Sequence, residues 1–323
     1  MDYLFLIVGL TLLLLGAEYL VDSSVAIAKR AKISNFIIGL TIVGMGTSSP
    51  ELFVSISSAI GGHGDLAMGN VIGSNICNIL LILGMTALIF PFAIERENQK
   101  RDIPFTIFAS ILLILVVNDS WLKLGENTLS RLDGIFFLIV FLSYMGYVVF
   151  NKGKKPQEAI ADADEDTKSK LEGKAPVLLW GIAIVSLAAL IFGGNLFLDS
   201  AKNLARSWGM SEAVISITIV AVGTSLPELI TAIVAASKHN TQLALGNILG
   251  SNVFNILMIL GLSSTIQPLV IKDINVIDYL MMLVATVMTY LVTFTFGKKR
   301  FDRIEGFIFL GVYVGYTLYL LMR

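Results

Sequence analysis

Apolar stretches long enough to cross a lipid bilayer follow one another along almost the whole chain. A bilayer span needs about 20 mainly apolar residues, and the pattern predicts ten such helices. They cover residues 3–28, 34–60, 64–91, 103–118, 131–150, 176–203, 211–237, 241–268, 275–296 and 304–322. The polar, charged segment 151–175 lies between the fifth and the sixth and predicts a flexible linker. We therefore predict an all-α integral membrane protein with one five-helix unit at 1–150 and another at 176–323.

The two predicted units contain closely related sequences. Residues 39–91 and 216–268 align without a gap at an offset of 177, and 26 of those 53 positions are identical. The shared motifs are GTS-x-PEL, at 46–52 and 223–229, and GN-x-x-GSN-x-x-NIL, at 69–80 and 246–257. Because each unit has an odd number of helices, the second copy enters the membrane from the opposite side. The pattern predicts two inverted repeats, a recurrent design in transporters.

The first motif places a carboxylate inside an apolar stretch and breaks the helix there. Pro50 cannot donate a backbone hydrogen bond and its ring clashes with the preceding turn, so we expect a break just before it. The break frees backbone oxygens around Gly44, and the hydroxyls of Thr47 and Ser48 add further oxygens. Glu51 then lies in the first turn of the next half-helix, whose positive end favours the ionised form. In the second copy the corresponding residues are Ala221, Thr224, Ser225, Pro227 and Glu228.

The second motif supplies amide and hydroxyl oxygens on one face of a helix. Ser74 and Asn78 are four residues apart, as are Ser251 and Asn255, and residues at this spacing share a face. We predict that helices 2, 3, 7 and 8 are all broken. The combined set has no sulfur or imidazole ligand and suits Ca²⁺ or Na⁺ rather than a transition metal. Four further asparagines are predicted to satisfy freed backbone groups: Asn70, Asn75, Asn247 and Asn252.

The charges along the chain predict its partners and its orientation. Hydrophobic residues make up 55% of the chain and the net charge is −1, so the lipid bilayer is the expected partner and nucleic acid is not. No required protein partner is evident. Of the 23 Lys and Arg residues, 17 fall in the linker and in the loops on its side of the membrane. Basic loops remain cytoplasmic, so we predict that the N-terminus lies outside and the linker 151–175 inside.

Two polar positions correspond in the first helices of the two units. Asp22 and Asp199 occupy equivalent places in GAEYLVDS and GGNLFLDS, and Glu18 has Asn195 as its counterpart. For the two aspartates we predict hydrogen bonding at helix ends or between helices, with an accessory ion role as the alternative.

The paired motifs resemble the alpha-repeats of the sodium/calcium exchanger family, within the calcium/cation antiporter superfamily. The resemblance covers essentially the whole chain. It implies a central ion site made of Glu51, Asn78, Glu228 and Asn255. It also implies flanking ligands from Thr47, Ser48, Ser74, Thr224, Ser225 and Ser251, with backbone oxygens of Gly44 and Ala221. Some microbial and potassium-dependent relatives carry Asp at the position of Asn255, so this chain resembles the potassium-independent members.

We therefore predict a Na⁺/Ca²⁺ antiporter of a prokaryotic inner membrane that works by alternating access and carries no cofactor. A H⁺/Ca²⁺ exchanger on the same fold is the alternative, because two carboxylates balance one Ca²⁺, two Na⁺ or two protons. A channel is a further alternative. An enzyme is not predicted, because Asp22 and Asp199 lie toward helix ends and the two histidines, His63 and His239, lie in loops.

Overall fold

The computed structural model describes residues 1–118, 127–152, 169–210, 223–294 and 300–322, and eleven helices lie within these ranges. The helices are α1 (Asp2–Ala31), α2 (Asn35–Thr47), α3 (Ser49–Ile60), α4 (Gly64–Ile89), α5 (Ile103–Val117), α6 (Arg131–Lys152), α7 (Pro176–Ser207), α8 (Leu226–Ser237), α9 (Thr241–Ile266), α10 (Val276–Val292) and α11 (Arg303–Met322). Each of the ten predicted spans contains at least one of them. Among the described residues six helices can cross a membrane by length and composition, and a seventh span results if α2 and α3 count as one.

The helices that carry the second motif form the centre of the bundle. In the most apolar 18-residue segment of each helix, 94% of the residues are buried in α9 and 72% in α4, against 33% in α1 and in α7. α1 and α7 pack so closely against each other that a Cβ on Gly9 would lie only 2.7 Å from the Phe197 backbone nitrogen. Their outer faces carry large apolar side chains into the surroundings, as expected for helices that face lipid.

The predicted break in the second span is confirmed. α2 ends at Thr47, α3 begins at Ser49, and the two halves are bent by 47°. Pro50 lies in the first turn of α3, where its missing N–H leaves no helical hydrogen bond unmade. α8 begins in the same way, with Pro227 in its first turn. Residues 211–222, including Ala221, lie outside the described ranges, and so does the first half of the predicted helix 7 with its break.

The prediction that helices 3 and 8 are broken is wrong. α4 and α9 are continuous over 26 residues each, and the hydrogen-bond register widens locally to a π-helix at Cys77–Leu83 and at Phe254–Ile259. The physical reason is that neither segment contains proline. Their glycines keep the backbone N–H, so the helix absorbs the irregularity as a π-helical stretch rather than a break.

Two short antiparallel ribbons join the halves of the chain. β1 (Phe92–Ala93) pairs with β4 (Arg300–Phe301), and β2 (Thr128–Leu129) pairs with β3 (Leu269–Val270). β1 and β3 follow the central helices α4 and α9 at the repeat offset of 177. Each ribbon therefore contains one strand from each half, and the two ribbons are counterparts of each other.

The two ends of the bundle differ. At the linker end, α1 finishes, α7 starts and residues 169–174 lie against α1. There the Ser169 hydroxyl donates to the Asp22 carbonyl at 2.8 Å and Lys170 Nζ donates to Glu18 Oε1 at 2.6 Å. This hydrogen bond raises the pKa of the Lys170 ammonium. At the opposite end, the cavity end, a cavity of about 660 Å³ enters the bundle.

Candidate functional site

Two carboxylates from the two copies of the first motif lie at the centre of the structure. Glu51 is in the first turn of α3 and Glu228 in the first turn of α8, and each side chain is 1% exposed. Contacts to them cross between the halves, since Ser48 Oγ donates to Glu228 Oε1 at 2.9 Å. Ser74 Oγ donates to Glu51 Oε1 at 3.4 Å. Each carboxylate thus has one oxygen held by a hydroxyl.

The second oxygen of each carboxylate belongs to a symmetric set of four acceptors. Glu51 Oε2, Glu228 Oε2, Asn78 Oδ1 and Asn255 Oδ1 are buried and have no hydrogen-bond partner among the described residues. Leaving one buried acceptor without a donor costs about 1–3 kcal/mol, and more for a charged group. Four such oxygens, two of them from carboxylates, are the ligand chemistry that a hard cation satisfies.

The amide groups of Asn78 and Asn255 are oriented by asparagines of the opposite copy. Asn78 Nδ2 donates to Asn252 Oδ1 at 3.0 Å, and Asn255 Nδ2 donates to Asn75 Oδ1 at 3.1 Å. The amide nitrogens are used in this way, so the oxygens are left as acceptors. Sequence reasoning missed this orienting role, although the exact recurrence of Asn75 and Asn252 in the two motifs was its signal.

Three of the four additional asparagines satisfy backbone groups as predicted. Asn75 Nδ2 donates to the Asn252 carbonyl at 3.4 Å and Asn252 Nδ2 to the Asn75 carbonyl at 3.5 Å. Asn70 Nδ2 donates to the Glu51 carbonyl at 3.2 Å. Asn247 differs, because its Oδ1 accepts from the Thr47 hydroxyl at 3.2 Å.

The predicted flanking ligands divide into two groups. Thr47 Oγ1 donates to the Val43 carbonyl at 3.0 Å, and Ser251 Oγ donates to the Gly44 carbonyl at 3.2 Å, so these oxygens already have protein contacts. Ser225 is buried and its hydroxyl has no partner among the described residues. Thr224 is half-buried at the wall of the cavity.

The cavity enters the bundle from its surface and reaches a residue that contacts this centre. Its wall includes Asp199, whose side chain is 71% exposed, and continues to buried Ser74 beside Glu51. Pro50 of the first copy and Thr224 and Pro227 of the second also line it, so both copies of the first motif border the cavity. The cavity thus reaches Ser74, which is one hydrogen bond away from the buried Glu51 carboxylate.

The fold and the site together define a membrane transporter rather than an enzyme, with buried oxygen acceptors at the meeting point of two related helical units. The chain belongs to the family described as "Sodium/calcium exchanger protein", whose profile matches residues 1–150 and 178–322. The two matched segments correspond to the two halves separated by the linker, as an inverted repeat would require.

Known proteins cover nearly the whole chain at moderate identity. The sodium/calcium exchanger MaX1 of Methanosarcina acetivorans is 32% identical, over 99% of this chain and 98% of its own length. The inner membrane protein YrbG of Escherichia coli is 38% identical, over 81% of this chain and 79% of its own. Among solved structures, the sodium-calcium exchanger NCX_Mj soaked with Na⁺ and Ca²⁺ superposes with a TM-score of 0.79 at 30% identity, covering 97% and 96% of the two chains.

Proposed function

We propose that this protein exchanges Na⁺ for Ca²⁺ across a prokaryotic inner membrane by alternating access. Both ions compete for a central site formed by Glu51, Asn78, Glu228 and Asn255. The observation that carries the proposal is the set of four buried oxygens, one from each of these side chains, that have no donor among the described residues. The names of the relatives MaX1 and NCX_Mj, both sodium/calcium exchangers, support Na⁺ and Ca²⁺ as the transported ions.

The charge of the central site provides the coupling. Two ionised carboxylates balance one Ca²⁺ or two Na⁺, and a buried, uncompensated pair of negative charges is costly in a low dielectric. The empty site therefore resists the movement that transfers it from one side of the membrane to the other, and either loaded form permits it. Exchange results because neither ion can cross unless the other returns.

Further Na⁺ ions are bound beside the central site in this proposal. The flanking ligands are the hydroxyls of Thr47, Ser48, Ser74, Thr224, Ser225 and Ser251 and the backbone oxygens of Gly44 and Ala221. Ser225 is the best placed of the described ones, because its buried hydroxyl has no other partner there. Each Na⁺ beyond two makes the exchange electrogenic.

The protein is proposed to cross the membrane ten times, as two inverted five-helix units at 1–150 and 176–323. The N-terminus and the cavity end lie outside, and the linker 151–175 is cytoplasmic. The distribution of basic residues supports this orientation, with 17 of 23 on the linker side. The relative YrbG, an inner membrane protein, supports the compartment.

The test is radiolabelled Ca²⁺ uptake into proteoliposomes loaded with Na⁺ and diluted into Na⁺-free medium at clamped pH. We expect uptake that requires internal Na⁺ and is lost, by at least 100-fold, in Glu51→Gln and in Glu228→Gln. Glu305→Gln is the matched control, because Glu305 is also a buried helical carboxylate but lies at the start of α11, where it accepts from the Asp302 backbone.

Other outcomes test the identity of the counter-ion separately from the central site. Uptake driven by an imposed pH gradient and indifferent to Na⁺ would assign the proton as the counter-ion. Normal uptake by Glu51→Gln would contradict the central site itself.

A further inference from the structure

An ion pair at the linker end joins the two halves of the protein. Lys238 Nζ lies 2.7 Å from Asp22 Oδ1 and donates to the Glu18 carbonyl at 3.2 Å. Asp22 is on α1 and is only 4% exposed, and Lys238 directly follows the last residue of α8. The hydrogen bond between elements predicted for Asp22 is thus confirmed.

Lys238 and the central carboxylate Glu228 are at opposite ends of the same short helix. At 1.5 Å per residue, α8 separates them by about 15 Å. Because a helix of this length moves as one element, a contact that holds Lys238 also restrains the position of Glu228. The ion pair therefore connects α1 to the element that carries one half of the ion site.

The end of the linker covers this ion pair. Ser169 bonds to the Asp22 carbonyl and Lys170 to the Glu18 carboxylate, and Glu18 Oε1 is also 3.9 Å from Lys238 Nζ. The group thus contains two acidic and two basic side chains around α1. Burial under this segment strengthens the attraction between Asp22 and Lys238 relative to an exposed surface pair.

The equivalent position at the cavity end is built differently. Asp199, the counterpart of Asp22, lies at the cavity wall and pairs with Lys202 one turn along its own helix, at 3.2 Å. The counterpart of Lys238 at the repeat offset is Gly61, which has no side chain. Among the described residues, the charged contact between α1 and α8 at the linker end therefore has no equivalent between their counterparts α7 and α3 at the cavity end.

We propose that the ion pair between Asp22 and Lys238 is a latch that holds the linker end closed and biases the protein toward the state that is open at the cavity end. The proposal rests on the alternating access proposed above. When the halves exchange roles, the linker end opens and Asp22 separates from Lys238, while Asp199 closes onto the turn at Gly61. A contact present in only one of two states shifts the population toward that state.

The latch can be tested through two cysteine reporters that are themselves counterparts. In a Cys77→Ser background, Val54→Cys lies in the wall of the cavity and reports the cavity end. Thr231→Cys replaces a fully buried residue one turn from Glu228 toward Lys238, and reports the linker end. Labelling of each by a water-soluble maleimide is measured on the purified protein in detergent, where both ends are accessible to the reagent.

Lys238→Gly removes the lysine of the ion pair and places glycine at this turn, as in the counterpart turn at Gly61. We expect it to speed labelling of Thr231→Cys on the order of tenfold, since the buried Asp22 carboxylate no longer has to be separated from its cation, and to slow labelling of Val54→Cys. Lys29→Ala is the matched control, because it removes a lysine from the same end of α1 whose contact to Glu172, at 3.4 Å, is exposed. It should leave both rates unchanged.

Two designed variants complete the test. The exchanged pair Asp22→Lys with Lys238→Asp should return both labelling rates toward the original values. Gly61→Lys offers Asp199 a lysine at the cavity end, and it requires only a small shift of the His63 side chain, whose Cδ2 would lie 3.1 Å from the new Cβ. It should slow labelling of Val54→Cys and speed labelling of Thr231→Cys.

Several results would overturn the latch. Unchanged labelling in Lys238→Gly would mean that the ion pair does not bias the two states. Faster labelling of both reporters would mean that the substitution loosens the whole bundle. Failure of the exchanged pair to restore the rates would point to a role of Lys238 that does not depend on Asp22. Because labelling requires no ion transport, a failed Ca²⁺ uptake assay would contradict the proposed function and leave this test intact.

Discussion

The central helices α4 and α9 carry the same motif but lie in different surroundings. Among the described residues, a Cβ on Gly73 of α4 would meet nothing within 4 Å, and one on Gly69 would meet only the tip of Ile274 at 3.5 Å. On α9, the counterparts Gly250 and Gly246 pack directly against the backbone of α2 at Leu40 and Phe36.

The two copies of this motif thus have different neighbours among the described residues, although their sequences match. Both pairs of glycines permit a neighbouring helix to approach to backbone contact. Within the part of the chain that the structure describes, only the pair on α9 is used in this way, while the pair on α4 borders the cavity. In the alternating access proposed above, the halves exchange roles and the tight contact moves to α4.

The largest expected effect comes from adding a methyl group to Gly250 on α9 or to its counterpart Gly73 on α4. Gly250→Ala should lower the free energy of unfolding by about 1–3 kcal/mol, because the new Cβ overlaps the Leu40 backbone. Gly73→Ala should leave stability nearly unchanged and still abolish exchange, because Gly73 must take up the tight contact when the cavity closes. Thermal unfolding in detergent and Ca²⁺ uptake measure the two effects. Normal exchange by Gly73→Ala would contradict the reversal.

A smaller effect is expected from the asparagines that orient the ligand amides. Asn252→Ala removes the acceptor of Asn78, and Asn75→Ala removes that of Asn255. Losing such an orienting partner typically costs 10–100-fold in metal affinity, so we expect the apparent Ca²⁺ affinity to fall by about that factor in both. Asn98→Ala is the control, since Asn98 is buried but bonds to Gln242 at the linker end. An equal loss in all three variants would assign the effect to stability.

The smallest expected difference separates two buried aspartates near the starts of α5 and α10. Asp102 accepts from Tyr144 at 2.9 Å and also pairs with Arg101 at 2.7 Å, while Asp278 accepts from Tyr316 at 2.8 Å and caps α10.

Asp102→Asn should therefore lower the free energy of unfolding by roughly 2 kcal/mol, because a half-buried arginine loses its charged partner. Asp278→Asn should cost about 1 kcal/mol, through the weakened helix cap. Thermal unfolding measures both, and adding Arg101→Gln to Asp102→Asn should recover part of the loss. A larger loss of stability in Asp278→Asn than in Asp102→Asn would contradict this prediction.

Repetition made much of the site predictable from the sequence. Glu51 and Glu228 recur in matching apolar settings, and proline fixes the first turn of the helix that carries each one. The proline rule predicted the bend before Pro50 correctly. The same reasoning failed for α4 and α9, because glycine permits a break without requiring one, and tight packing favours a continuous helix with a π-helical stretch.

The cavity and the latch could not be predicted from the sequence. A gapless repeat assigns equal roles to Gly73 and Gly250, and nothing in the local sequence tells which of them borders the cavity. Lys238 entered the sequence analysis only as one of the basic residues that set orientation. Its pairing with Asp22, 216 positions away, depends on how α1 lies across the end of α8.

The reciprocal amide bonds have a consequence for the ancestry of the chain. Asn252 orients the ligand amide of the first half and Asn75 that of the second, so neither half has a finished site on its own. A single ancestral gene for one unit would have had to make its product insert in both directions and assemble as a homodimer before it could hold an ion. Gene duplication and fusion through the linker would then have freed the two copies to diverge, with glycine at one turn and lysine at the other.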